Sequence, residues 1–410
     1  MTISSAPRRP ATGLRQRLQG WLPDLAALCG ALLSAVLAAV LLGSLGGCGG
    51  GVGSEGTGSF ASSFSQGPIS GFGSIIVNGV HYDERSASVA DDDGQALDRS
   101  ALALGMVVQI NAGAVSTAAD GSAVATATSV RALRSLVGPA SAVDAAAGRL
   151  RVLGQPVWLT AGTVLGSGLA GGLAGVTASQ VLEVYGFYDD SRSAYLATRI
   201  ALAPPAAVYR VSGPVASVDG AQSFTMGGQR FAGVTSGLMP GTQLRLAVLA
   251  QPDSEGRWVV SAQRSDERPP DEREGAAVQG LVSAMGMAGR FVVAGLTVDA
   301  SAARIDGQLL LGAQVEVRGS LRSGVLVASE VKAGSAGEAR SFELKGSISQ
   351  LDAAARRFLL RGTLVSYARA DLVFKNGSAA QLPGYGGQLK VKGQLSADRT
   401  VLEATEISFD

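Results

Sequence analysis

The sequence predicts an all-β protein: five tandem small β-barrel-like units, each of OB-like size, following a flexible lipidated amino-terminal tether. Three observations carry this. A short pattern returns five times, strands near the end of several units alternate strictly, and glycine-rich turns recur roughly every 8–12 residues with no sustained helical period. The pattern is an apolar pair, a Gly, and an apolar residue three positions later. It reads Ile76-Val77-Asn78-Gly79 to Tyr82, Val152-Leu153-Gly154 to Val157, and Thr225-Met226-Gly227-Gly228 to Phe231. It returns as Val292-Val293-Ala294-Gly295 to Val298 and as Leu359-Leu360-Arg361-Gly362 to Val365. The glycines at 79, 154, 228, 295 and 362 are spaced by 75, 74, 67 and 67 residues. Near-constant spacing marks duplicated units, so one small fold is used five times.

Each unit opens with a strand ending near a Gly, continues through the strand-Gly-strand pattern, and crosses a variable middle. An alternating strand follows: Val315-Glu316-Val317-Arg318-Gly319, Leu389-Lys390-Val391-Lys392-Gly393, or Leu182-Glu183-Val184-Tyr185-Gly186. The last strand carries Ala-x-x-apolar, as in Ala197 to Ile200, Ala328 to Val331 and Ala404 to Ile407. A period of two puts Val315 and Val317 on a buried face and Glu316 and Arg318 on a wet one. Five or six short strands in a small unit suit a closed barrel, because closure removes exposed edges. The units are placed at 67–134, 135–205, 206–265, 275–335 and 336–410, with a charged, proline-bearing linker at 266–274. Cores this small are marginal, so neighbouring units are expected to pack together or share strands.

The amino terminus reads as an export signal. Arg8, Arg9, Arg15 and Arg17 face a single acid, Asp24, ahead of an apolar stretch from Leu25 to Leu42. Leu45-Gly46-Gly47-Cys48 closes it and resembles the lipobox of bacterial lipoproteins. The resemblance implies a signal peptide over 1–47, cleavage before Cys48, and diacylglycerol and palmitate-type acylation of Cys48. A plain membrane helix would not need a Cys there. Gly49 rather than Asp after the Cys points, by the Gram-negative sorting preference, to the outer membrane. Residues 48–66, rich in Gly and Ser, are expected to form a flexible tether spanning roughly 23 Å. Cys29 leaves with the signal and Cys48 is acylated, so the mature chain has neither free thiol nor disulfide. The mature chain would keep 30 basic and 32 acidic residues, a balance that offers no broad attraction to nucleic acid.

The stretch Gly71-Phe72-Gly73-Ser74-Ile75-Ile76-Val77-Asn78-Gly79-Val80 resembles the start of a bacterial domain family of unknown function, the one numbered 5666. The first unit matches the opening of that family best, and the fourth and fifth match its closing half best. The third departs at Ser261-Ala262-Gln263-Arg264, which lacks the final apolar residue. The resemblance implies a β-barrel fold and an envelope location, and it brings no known activity.

Candidate chemistry is sparse. The one histidine, His81, lies beside the buried position of Tyr82, and the other units hold Pro156, Arg230, Thr297 and Leu364 there. It therefore reads as a solvated strand residue whose loss leaves folding and binding unchanged. One His and no thiol argue against a zinc site or a Ser-His-Asp or Cys-His nucleophile. Asp91-Asp92-Asp93-Gly94 could suggest calcium, with Asp91 and Asp93 as candidate ligands. Consecutive acids point apart, however, and a turn accounts for the run better. Outward acids such as Glu183 and Glu316 single out no catalytic pair, and no phosphate loop occurs. Of the aromatics, Trp158, Trp258, Tyr195, Tyr209, Tyr367 and Tyr385 read as packing residues. Tyr185 and Tyr188 are candidate ligand-binding residues, Tyr185 being out of phase with buried Leu182 and Val184. The expectation is a non-catalytic, lipid-anchored envelope binding or scaffolding protein without cofactors, holding the membrane through its lipid and meeting an envelope polymer or protein. The alternative is an adhesin-like or assembly subunit spacing a partner from the membrane, and an enzyme ranks third.

Overall fold

The computed structural model describes residues 62–264, 270–334 and 340–410. The expected signal segment, Cys48 and most of the expected tether lie outside them. The described chain is all-β, with short 3-10 turns as its only helical elements. Its strands close into five small barrels.

The second barrel shows the plan. Leu136–Asp144 pairs with Arg149–Val152, which pairs with Gln155–Leu165. That third strand runs parallel to Ala194–Leu202, which pairs back through Val181–Asp189 to the first strand. The ring order is thus first, second, third, fifth, fourth, first, a five-stranded Greek-key closure of the OB type. The same ring is built in the first barrel, the third, the fourth and the fifth.

The recurring glycine is the second residue of a two-residue hairpin turn between the second and third strands. Both turn residues have positive φ at every copy: Asn78 and Gly79 (51° and 72°), Leu153 and Gly154 (47° and 72°), Gly227 and Gly228 (58° and 86°), Ala294 and Gly295 (49° and 79°), and Arg361 and Gly362 (49° and 74°). This is the type I′ geometry, whose twist matches that of the flanking strands. The apolar residues around it turn inward: Tyr82, Val157, Phe231, Val298 and Val365 are all buried. Each barrel is filled by such side chains rather than hollow, and each fully buried Val, Leu or Phe contributes about 1.5–3 kcal/mol.

The barrels are fused through their first strands. Ser63–Pro68 pairs antiparallel with Val107–Ala112 of its own barrel and parallel with Arg273–Met285 of the fourth. Gly71–Phe72, its continuation, pairs parallel with Phe342–Gly346 of the fifth. A Cβ on Gly71 would sit 2.4 Å from the Glu343 carbonyl oxygen, so only Gly permits this approach. The second and third barrels join by antiparallel pairing of Val137 with Arg210 and of Leu136 with Val211.

Two expectations are corrected here. Residues 63–66, assigned to the flexible tether, are a buried strand. Their polar side chains are satisfied inside the protein: Ser63 donates to the Gly113 carbonyl, Asn78 Nδ2 donates to Ser65 Oγ, and Gln109 donates to Gln66 Oε1. The charged linker at 266–274 is also too long, because the strand Arg273–Met285 already includes its last two residues.

Candidate functional site

The first barrel presents a cleft of about 550 Å³ over its third and fifth strands, with the turn at Gly73 and Ser74 that joins its first and second strands at one side. Ser74 and Arg361 line it with His81, Asp83 and Arg85, and the loop holding Ala114 and Ser116 forms one rim. OB-type barrels bind extended polymers over strands two and three, between the loops joining strands one to two and four to five; this cleft shares with that surface the third strand and both loops. Period-two alternation sends Tyr82 into the core and His81 to this outer face.

His81 is half-buried rather than fully solvated, and its Nδ1 lies 3.3 Å from Ser74 Oγ. Among the described residues no carboxylate hydrogen-bonds to His81, so the pair is not arranged as a triad. Asp83 is held by the exposed Arg85 guanidinium, which brings its carboxyl down to about 2. It therefore stays an acceptor at any physiological pH. The cleft can offer a ligand hydroxyl, imidazole, carboxylate and guanidinium groups. The same face of the second barrel carries Trp158 between the guanidiniums of Arg149 and Arg192, 6.0 and 5.9 Å from its ring centre.

The Asp91–Asp93 run closes a turn. The Asp91 carbonyl accepts the Gly94 N–H, and its carboxylate accepts the N–H groups of Asp93 and Gln95. The carboxylates themselves face arginines. Arg134 reaches Asp91 at 2.7 Å and Asp92 at 2.6 Å, Arg210 of the third barrel pairs with Asp93, and Arg245 lies 3.8 Å from Asp92. Burial opposes the Arg134 charge, but Asp92 and Asp91 outweigh it and hold its pKa above the ordinary value. The cluster fastens the third barrel to the first.

The ligand-binding expectation for Tyr185 is overturned. Tyr185 is only 2% exposed and packs into the core shared by the first and fifth barrels. A register shift between Tyr185 and Gly186 marks the spot. Val184 fills its own barrel while Tyr185 points outward into a neighbour, so both faces of the strand are dry. Burial, then the charge of Glu183, pushes the Tyr185 phenol above its usual range. Glu183 is likewise not on a wet face; burial raises its pKa against the pull of Arg199 and Arg134. Tyr188 is half-buried, edge-on to Tyr195 at 5.2 Å, and lines a smaller cleft of about 310 Å³ where the second barrel meets its neighbours.

Segments 137–201 and 279–332 match the family described as Domain of unknown function (DUF5666). The chain thus carries two segments similar to this family. The matched segments fall in the second and fourth barrels; the fourth is one of the units that the sequence patterns singled out, and the second is not. No curated protein matches the chain.

Proposed function

We propose that this protein is a non-catalytic, lipid-anchored binding or scaffolding module of the cell envelope, and that its ligand-facing surface includes the His81 cleft. The observation that carries this reading is the position of that cleft, over the third strand and beside the one-to-two and four-to-five loops that OB-type folds use to take extended polymers. Its mixed polar lining suits a hydroxyl-rich envelope polymer or a protein loop. Packed barrel interiors leave surfaces and junctions as the places for a ligand. The lipobox-like Leu45–Cys48 sequence supports attachment at Cys48 and the outer membrane as the location. Site-specific photo-crosslinking in intact cells tests the reading. A crosslinker at the exposed cleft rim, Ser116, should capture a polymer or protein that the same crosslinker at exposed Asp306 of the fourth barrel does not. Equal capture at both positions, or none at Ser116, overturns it. Mass spectrometry of the native amino terminus tests the anchor, since a chain starting anywhere but an acylated Cys48 refutes it.

A further inference from the structure

A second cleft, of about 590 Å³, lies where the first, second and fifth barrels meet. Four arginines line it: Arg199 from the second barrel and Arg357, Arg361 and Arg399 from the fifth. Several arginines elsewhere are matched to acids, as Arg134, Arg210, Arg257, Arg318 and Arg369 are. Among the described residues none of these four forms an ion pair, and Glu183 attracts Arg199 only from beyond ion-pairing distance. The one acid in the lining, Asp398, accepts hydrogen bonds from the Ser396 hydroxyl and the Thr400 N–H.

The donors are also mostly unspent. Arg199 gives one N–H to the Leu104 carbonyl, Arg361 gives one to the Lys345 carbonyl, and Arg399 bonds the carbonyls of Thr160 and Ala397. The Nε of Arg199 is buried without an acceptor. Arg357 is exposed at the mouth, and its guanidinium makes no protein hydrogen bond or ion pair among the described residues. Two of these bonds, Arg199 to Leu104 and Arg399 to Thr160, cross barrel boundaries, and together the bonds hold guanidiniums in place with their remaining N–H groups preorganised. The floor is apolar, with Leu104, Val164 and Leu402, and Arg361 stacks over Phe72 at 5.7 Å. Converging like charges beside an apolar floor repel one another more than they would in open water. A bound anion removes that repulsion, and guanidinium forks match phosphate and carboxylate oxygens two at a time.

We propose that this junction is an oxyanion-binding site for a multiply charged phosphate or carboxylate group. It is separate from the polymer-facing surface at His81, although Arg361 stands between the two. No single barrel contains it, so the site exists only in the assembled body.

Calorimetric titration of the purified full chain in detergent tests the proposal, with inorganic pyrophosphate, citrate and the neutral sugar trehalose as probes. At least one anion should bind, more weakly as salt is raised, while trehalose should not. Preference between pyrophosphate and citrate decides between phosphate and carboxylate. Arg357→Glu should lower the affinity at least tenfold, with Arg357→Gln intermediate. Arg290→Glu, on the exposed surface of the fourth barrel, should leave it unchanged. Absence of heat with both anions, binding of trehalose as tight as theirs, or equal losses at Arg357 and Arg290 overturns the proposal. Arg357→Glu should not alter capture at Ser116, so failure of one reading is distinguishable from failure of the other.

Discussion

Alanine at the repeat's glycines separates backbone strain from crowding between barrels. Gly295 has φ of +79°, and a Cβ there would meet nothing within 4 Å. Its replacement therefore carries only the left-handed penalty of about 1–2 kcal/mol, reduced by roughly 0.4–1 kcal/mol because alanine also stiffens the unfolded chain. The net expectation for Gly295→Ala is a loss of about 1 kcal/mol. Gly362→Ala, equally open at φ of +74°, should match it. Gly154 has a similar φ of +72°, but its added Cβ would lie 2.7 Å from Gln229 Cβ of the third barrel. Overpacking adds about 1–3 kcal/mol, so Gly154→Ala should lose about 2–4 kcal/mol in all. Urea denaturation followed by far-ultraviolet circular dichroism gives the ranking from midpoints at unchanged slope. Wild-type stability in Gly295→Ala would refute the left-handed turn. Equal losses at Gly154 and Gly295 would refute the contact between the second and third barrels.

Val317, fully buried in the fourth barrel, should cost several kcal/mol when changed to Asp. Arg318→Asp should cost about 1–2 kcal/mol rather than the near-zero of a free surface residue, because Arg318 bonds both Glu316 and the Asn78 carbonyl of the first barrel; equal denaturation midpoints for the two variants would overturn this strand phase. Asp93→Asn breaks a pair whose side chains are 10% and 19% exposed. The loss should fall between surface and buried cases, about 1–3 kcal/mol, with faster hydrogen exchange across 208–252; unchanged exchange there would exclude the proposed fastening. Glu183 has its pKa raised by burial, so its contribution favours folding at acid pH and is lost as pH rises through the folded-state pKa. Glu183→Gln should therefore gain stability relative to wild type from about pH 4 towards neutrality, and a relative loss over that range in paired melting curves would reverse the assignment.

What the sequence could determine was local. Gly at the second position of each hairpin, with an apolar pair before it and an inward residue after it, reports a backbone that needs positive φ and a side-chain period of two. Both are properties of a few consecutive residues, so the turns and the inner faces of strands such as Val315–Val317 were legible. So was the small closed barrel that they build. The outer faces were not. Glu183, Tyr185 and Arg318 occupy positions that alternate away from their own cores, and alternation cannot say whether a neighbouring barrel covers them. Ser63–Gln66 read as linker because its composition is polar, whereas hydrogen bonds from Asn78 and Gln109 and to Gly113 make it a buried strand. Asp93 meets Arg210 across 117 residues of sequence, and the arginine cleft gathers its walls from three barrels. Such sites depend on how the barrels dock, through the pairing of Ser63–Pro68 and Gly71–Phe72 with the fourth and fifth barrels. Local periodicity records which face of a strand is dry inside its own unit; only the packing of units decides which of the remaining faces still meet water.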